Sequence, residues 1–71
     1  MPFGERLRKM RKEHHLSVPQ LARLIMVSSQ AIYQWEWGNT EPSLSYLISL
    51  ADVFNVSLDE LAGRTVPSNE V

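Results

Sequence analysis

The sequence predicts a compact all-α domain, and three observations lead to that fold class. Apolar residues recur at helical spacing along most of the chain, a serine that can cap a helix precedes four of these segments, and no alternating run of β-branched residues lies between turn residues. With 71 residues the chain can form one domain at most. We expect five helices within residues 1–63, followed by a flexible tail over residues 64–71.

The first predicted helix covers residues 3 to about 14. Its apolar residues Phe3, Leu7 and Met10 stand at i, i+4 and i+7, which places them on one face. We expect that face to pack against the core. The opposite face would then carry four basic side chains in solvent: Arg6, Arg8, Lys9 and Lys12.

A second helix is predicted over residues 18 to about 25. Ser17 and Gln20 have the spacing of a capping box, in which the serine caps the first turn and the glutamine contacts the serine backbone in return. Pro19 falls in the first turn, where its missing N–H costs nothing. The inward face is expected to consist of Leu21, Ala22 and Ile25.

A third, short helix is predicted over residues 29–37. It follows a break at Met26 and Val27, with Ser28 as its N-cap, and Gly38 ends it. Two short helices joined by a three-residue break have the spacing of a helix-turn-helix. The second helix of such a unit projects from the body of the domain, and its N-terminal side chains can enter the major groove of B-DNA.

Two more helices are predicted after a turn at residues 39–42. Ser43 caps the fourth, which is the most apolar and is expected to form the centre of the core. Ser57 and Glu60 form a second capping box at the start of a fifth helix of one or two turns, which Gly63 ends. The apolar residues of the fourth helix are Leu44, Leu47, Ile48, Leu50, Ala51 and Phe54.

The composition excludes several classes of function. The chain has no cysteine, its three glycines are isolated, and its adjacent His14 and His15 point about 100° apart on a helix, so they cannot share a metal ion. No catalytic constellation, cofactor site or small-molecule substrate site is predicted. The chain has neither a membrane-spanning run nor a signal peptide, which favours a cytoplasmic protein.

Charge is distributed unevenly along the chain. Residues 1–35 hold six basic and two acidic side chains, whereas residues 36–71 hold one basic and six acidic side chains. This asymmetry indicates one cationic end that could meet a polyanion. It is either the footprint of a nucleic-acid site or a solvated helix face.

The outward side chains of the third helix are the candidates for base recognition. A glutamine amide can both donate to and accept from adenine in the major groove, and two glutamines four residues apart share one face. The same residues could instead be ordinary polar surface. The outward side chains are Ser29, Gln30, Tyr33, Gln34 and Trp37.

The motifs over residues 4–63 resemble the Cro and lambda-repressor-like helix-turn-helix family, also called the xenobiotic-response-element type. The resemblance implies a compact five-helix DNA-binding domain, a recognition helix over residues 29–37, and transcriptional regulation by binding double-stranded operator DNA, commonly as a homodimer. Small members are similar to Cro-like proteins of phage genetic switches. The matching motifs are residues 4–11, 16–17, 21–22, 27–28, 35–36, 42–44 and 56–61, with Ile32 and Gly38.

The resemblance also assigns roles to individual residues. Ser29, Gln30 and Gln34 match the family's base-reading positions. Arg11 and Glu36 match a salt bridge beneath the recognition helix, a structural role. The positions expected at the DNA backbone are Ser17, Tyr33, Asn39, Thr40 and Ser43.

Four positions depart from the family pattern. A glutamine that usually begins the second helix is Val18, the usual turn glycine is Met26, and an often basic residue before Pro42 is Glu41, which has the wrong sign for phosphate. Met26 either avoids a positive φ or costs about 1 kcal/mol. Trp37, at a usually polar position, either folds back on the loop around Pro42 or anchors a contact with another protein.

These departures support an alternative hypothesis, in which the chain is a modulator or antirepressor. Such a protein would keep the fold but bind a partner repressor and mask its DNA-binding surface. It would do so through an apolar patch on the surface that relatives use for DNA. The residues of that patch would be Val18, Met26, Tyr33 and Trp37.

Overall fold

The computed structural model describes residues 3–63, which form five α-helices and no strand. The predicted all-α fold class is confirmed, with α1 and α2 each ending one residue earlier than expected. The predicted tail over residues 64–71 lies outside the described residues. The helices are α1 (Phe3–Glu13), α2 (Val18–Leu24), α3 (Ser29–Trp37), α4 (Leu44–Phe54) and α5 (Leu58–Ala62).

The predicted caps explain where the helices begin. Ser17 forms a capping box with Gln20 at the start of α2, and Ser57 does so with Glu60 at the start of α5. The Ser28 hydroxyl accepts a hydrogen bond from the Ala31 N–H at the start of α3. Ser43 occupies the N-cap of α4 but makes no side-chain capping hydrogen bond.

The ends of α1 to α4 share one backbone arrangement. In each, a residue with positive φ follows the helix, and the next residue donates its N–H to the carbonyl five positions earlier, which is the Schellman motif. Among these four ends, glycine fills the left-handed position only after α3, as it also does after α5. The other three left-handed residues are His15 after α1, Met26 after α2 and Asn55 after α4.

Each helix contributes one fully buried side chain to a single core. Trp35, Phe54 and other large apolar residues pack around these five, and every residue of this core is apolar. The core thus fixes all five helices relative to one another. The five side chains are Leu7, Leu21, Ile32, Leu50 and Leu61.

The prediction that α4 forms the centre of the core is wrong. Its buried residues are Leu50, Ala51 and Phe54, whereas Leu44 is 63% exposed and Ile48 is 46% exposed. A surface helix can bury one face only, so the apolar residues on its other face remain in solvent.

Two contacts hold the N-terminal helix against the rest of the domain. Gly4 lies so close to the end of α3 that a Cβ atom there would stand 2.4 Å from the Glu36 carbonyl oxygen. The guanidinium of Arg6, predicted to lie in solvent, donates to the carbonyl of Glu60 in α5 with both Nε and Nη2.

Within the described chain, no helix is long and apolar enough to cross a membrane.

Candidate nucleic-acid interface

The two helices of the predicted helix-turn-helix are held to the body by one apolar face each. Leu21 and Ile25 are buried at α2 and its C-cap, and Ile32 and Trp35 are buried on α3. Val27, in the turn, is half-buried against the same core. The remaining faces of α3 are therefore free to meet a ligand.

An ion pair fixes α3 to α1 from below. The Arg11 guanidinium donates to both Glu36 carboxylate oxygens, at 2.7 Å from Nε and 3.1 Å from Nη2, and its Nη1 donates to the Leu16 carbonyl at 3.0 Å. The hydrogen bond to Glu36 raises the pKa of Arg11 above its ordinary value, against a smaller opposing effect of burial. The predicted salt bridge is thus present in the structure.

The three predicted base-reading residues share the outer face of α3. At 100° per residue, Ser29, Gln30 and Gln34 fall within one arc, opposite the buried Ile32 and Trp35. Gln30 is exposed, while Ser29 and Gln34 are half-buried. The face presents a hydroxyl and two amides, all groups that can pair with base edges.

The two aromatic side chains of this arc stack on each other. The rings of Tyr33 and Trp37 have centroids 5.6 Å apart with 30° between their planes. Trp37 is 67% exposed, so it does not fold back on the loop around Pro42 as one prediction had it. Arg8 of α1 lines the same hollow between α1 and α3 as Tyr33 and Trp37 do.

Two of the five predicted DNA-backbone residues have side chains engaged within the protein. The Ser17 hydroxyl accepts from the Gln20 N–H at 3.2 Å, and the Asn39 amide donates to the Gln34 side chain at 3.0 Å. Thr40 and Ser43 are exposed in the loop and at the start of α4. Glu41 is also exposed there, and its charge would oppose a phosphate.

The apolar patch predicted for a partner protein is not assembled as expected. Val18 is 4% exposed because it lies in the first turn of α2 facing the core, so it is no part of any surface patch. Met26 is 89% exposed. Its φ is +61°, so of the two alternatives predicted for this position the residue adopts the strained, left-handed conformation. The exposed apolar residues of the predicted patch are therefore Met26, Tyr33 and Trp37.

Basic and acidic residues alternate on the solvent face of α1. Arg8, Lys9 and Lys12 are exposed, with Glu5 and Glu13 beside them around one shallow hollow. The two carboxylates reduce the positive charge of this face. Across residues 3–63, no three His, Asp or Glu side chains gather in a group that could hold a metal ion.

One feature of this surface escaped the sequence reasoning, namely the contact between Gln34 and Asn39. Gly38 between them provides the signal, because a glycine that ends a helix in a Schellman motif brings the next residue over the residue five positions before it.

The packed pair α2 and α3, with the polar arc on α3, defines a helix-turn-helix domain. A family model described as helix-turn-helix matches residues 7–61, and the chain belongs to this family, in its Cro and repressor type. The family consists of DNA-binding transcriptional regulators, which confirms the prediction of a non-enzyme.

Three similar proteins illustrate the match. The HTH-type transcriptional activator BcrR of Enterococcus faecalis is 38% identical over 61 residues, 86% of this chain and 30% of that protein. A transcriptional regulator from Listeria innocua has a TM-score of 0.83 at 36% identity, covering 96% of this chain and 64% of the other. The c2 repressor of Salmonella phage P22, solved with a synthetic operator, has a TM-score of 0.82 at 36% identity, covering 86% of this chain and 92% of the other.

The chain is shorter than the curated relatives that it matches. It spans between 18% and 58% of their lengths. The shared part is therefore the helix-turn-helix domain.

Proposed function

We propose that the chain is a transcriptional regulator of the Cro and repressor type that binds operator DNA through α3. The observation that carries this proposal is the outer arc of α3, where Ser29, Gln30 and Gln34 face away from a core that holds the helix rigidly. The P22 repressor, which is similar over 86% of this chain, was solved with a synthetic operator. Insertion of α3 into the major groove brings these three side chains to base edges.

The contacts of this complex are of two kinds: contacts to base edges, which recognise the sequence, and contacts to phosphates, which position the protein on the duplex. Ser29 and Gln30 contact bases at the N-terminal end of α3. Gln34 contacts a base one helical turn further along α3. Contacts to phosphate would hold the register without reading sequence. They come from Ser17, Tyr33, Asn39, Thr40 and Ser43.

The regulator acts as a two-fold dimer on two half-sites. A dimer would place two recognition helices one helical turn apart, which would double the base contacts and predicts a symmetric operator. Leu58, at the start of α5, is 42% exposed and supplies apolar surface for such an interface. Sedimentation of the DNA complex should give two chains per operator, and one chain per operator would contradict the dimer.

Operator binding would require a cytoplasmic protein, since the operator DNA of a prokaryotic cell lies there. The alternative of a modulator that masks a partner repressor loses support, because Val18 is buried and the three similar proteins described above are themselves regulators.

The experiment that tests this proposal compares Gln30→Ala with Ser45→Ala, an exposed polar change on α4 away from α3. Gln30→Ala should lower the preference for the operator over random duplex by about 5- to 150-fold, since a glutamine pair with a base is worth about 1–3 kcal/mol. Ser45→Ala should leave it unchanged. Equal operator preference of wild type and Gln30→Ala, with both folded, would contradict the proposal.

A further inference from the structure

The side chains of Gln34 and Asn39 are joined at the exposed end of α3. The Asn39 Nδ2 donates to the Gln34 Oε1 at 3.0 Å. The backbone beneath them is also joined, because the Asn39 N–H donates to the Gln34 carbonyl at 3.0 Å while the Gly38 N–H donates to the Trp35 carbonyl at 3.2 Å. Gly38 itself has a φ of +82°. The turn thus holds Asn39 over Gln34.

The other helix ends of the domain show that this pair is unusual. A Schellman motif ordinarily brings an apolar side chain after the left-handed residue against the preceding helix turn. The ends of α1, α2 and α4 follow that rule, with Leu16, Val27 and Val56 partly buried against the core. Of these four ends, only that of α3 carries an amide at this position, and it contacts another amide.

We infer that Asn39 is a positioning residue that fixes which hydrogen-bonding group Gln34 presents to DNA. An unrestrained glutamine amide can turn over, so it can offer a base its oxygen, its nitrogen or both. Here the oxygen accepts from Asn39, whereas Nε2 makes no hydrogen bond within residues 3–63, so Nε2 is the group more available to a base. This inference rests on the proposed function, and it gives Asn39 a role other than the phosphate contact implied by the family resemblance.

A glutamine held in this way reads a base mainly as a donor, because Asn39 already occupies one of the two lone pairs of Oε1 and fixes its direction. In the major groove, Nε2 can donate to N7 or O6 of guanine, to O4 of thymine or to N7 of adenine. It has no partner in the amino group of cytosine, which is itself a donor. The bidentate pairing with adenine, which needs the oxygen as well, is no longer the preferred contact. The base that faces Gln34 should therefore be one that offers an acceptor.

The test selects duplexes from a library with a randomised central segment, using wild type and four variants. Gln34→Ala identifies the base-pair position that Gln34 reads, because preference is lost there alone. Asn39→Ala should weaken the preference at that position by about three- to tenfold, the value of one hydrogen bond. Ser45→Ala is the control, since it removes an exposed hydroxyl that belongs neither to the amide pair nor to the proposed DNA contacts.

Asn39→Asp supplies the sharpest arm of the test. A carboxylate accepts but cannot donate, so it should turn Nε2 of Gln34 inward and leave Oε1 outward. The preferred base at the Gln34 position should then change from one that offers an acceptor to one that offers a donor, such as cytosine. The added negative charge lowers affinity for all sequences alike, and the comparison therefore uses relative preference at one position.

The outcomes separate this inference from the proposed function. If wild type selects a sequence and Gln34→Ala relaxes one position, but both Asn39 variants keep the wild-type preference there, the inference is overturned and the function stands. A uniform loss of affinity in Asn39→Ala, without change at that position, would make Asn39 a phosphate contact and also overturn the inference. If folded wild type selects no sequence, the proposed function fails, and the inference with it.

Discussion

Arg11 and Glu36 form a two-pronged ion pair between α1 and α3, with only 11% and 4% of their side chains exposed. The pair lies under the helix proposed to enter the major groove. The planar guanidinium of Arg11 also donates to the Leu16 carbonyl, so this one side chain links α1, α3 and the loop after α1. The orientation of α3 thus depends on a contact between residues outside the proposed base-reading set.

Removing one partner of this pair should be costly. Glu36→Gln leaves the Arg11 charge without its partner, and we expect a loss of about 3 kcal/mol in the free energy of unfolding. The double variant Arg11→Met with Glu36→Leu should recover most of this loss, because an apolar pair avoids the unpaired charge. Urea denaturation measures both. A loss below about 1 kcal/mol for Glu36→Gln would class the pair with exposed surface pairs.

The stabilising contribution of the Arg11–Glu36 pair should not change when the pH rises from neutral into the alkaline range. The pKa of Arg11 is raised in the folded state, so the stability it contributes is present below the unfolded-state pKa and is lost only as pH rises through the folded-state pKa. Both values lie far above the neutral range. The coupling energy from a double-mutant cycle should thus be constant between neutral pH and about pH 10. A decline over that range would contradict the assignment.

Met26 offers a stabilising substitution in the turn of the helix-turn-helix. Its φ of +61° strains a side chain that is 89% exposed and packs against nothing that would be lost. Met26→Gly should raise the free energy of unfolding by about 0.5–1 kcal/mol, or Tm by a few degrees. Asn55→Gly is the control and should gain less, because asparagine tolerates this conformation. A lower Tm for Met26→Gly would refute this reading of the turn.

Gly4 should resist replacement even by alanine. In a helix, alanine normally stabilises by up to about 1 kcal/mol relative to glycine. Here its Cβ would lie 2.4 Å from the Glu36 carbonyl oxygen and 2.7 Å from that of Trp35, so α1 and α3 must separate. We expect Gly4→Ala to lower stability by about 1–3 kcal/mol, measured by thermal unfolding.

A second glycine provides the comparison for this prediction. Gly38→Ala meets no atom within 4 Å, so its cost comes from the positive φ alone. It should cost about 1 kcal/mol. A stabilised Gly4→Ala variant would show that α1 does not pack this closely on α3.

Glu41 should limit the affinity for DNA. It is exposed between Thr40 and the start of α4, where phosphates are expected. Glu41→Lys should raise affinity for all duplexes and steepen the salt dependence by about one phosphate contact. Asp52→Lys makes the same charge change on an exposed position of α4, and it should have a smaller effect. Equal effects of the two changes in salt-dependent titrations would show that Glu41 does not face the DNA.

Local signals in the sequence were sufficient to predict the helices. The capping boxes at Ser17 and Ser57 and the glycine after α3 act over four or five residues, so they locate helix ends without knowledge of the tertiary structure. Apolar spacing likewise predicted the buried face of α2. These elements agree with the structure to within one residue.

Tertiary contacts account for what the sequence did not predict. Whether Val18 and Ile48 are buried depends on which face of each helix meets the others, and both residues were assigned to the wrong environment. The approach of Gly4 to α3 joins residues more than thirty positions apart, and no local pattern encodes it. The roles of Ser29, Gln30 and Gln34 depend on DNA and stay predictions.

The central claim, that this domain binds operator DNA through α3, is tested most directly by a fluorescence titration. Labelled duplex from the region upstream of its own gene is compared with random duplex at several salt concentrations. We expect tighter binding to the upstream duplex and a salt slope that corresponds to several phosphate contacts. Weak binding of equal strength to both duplexes by the folded protein would contradict it.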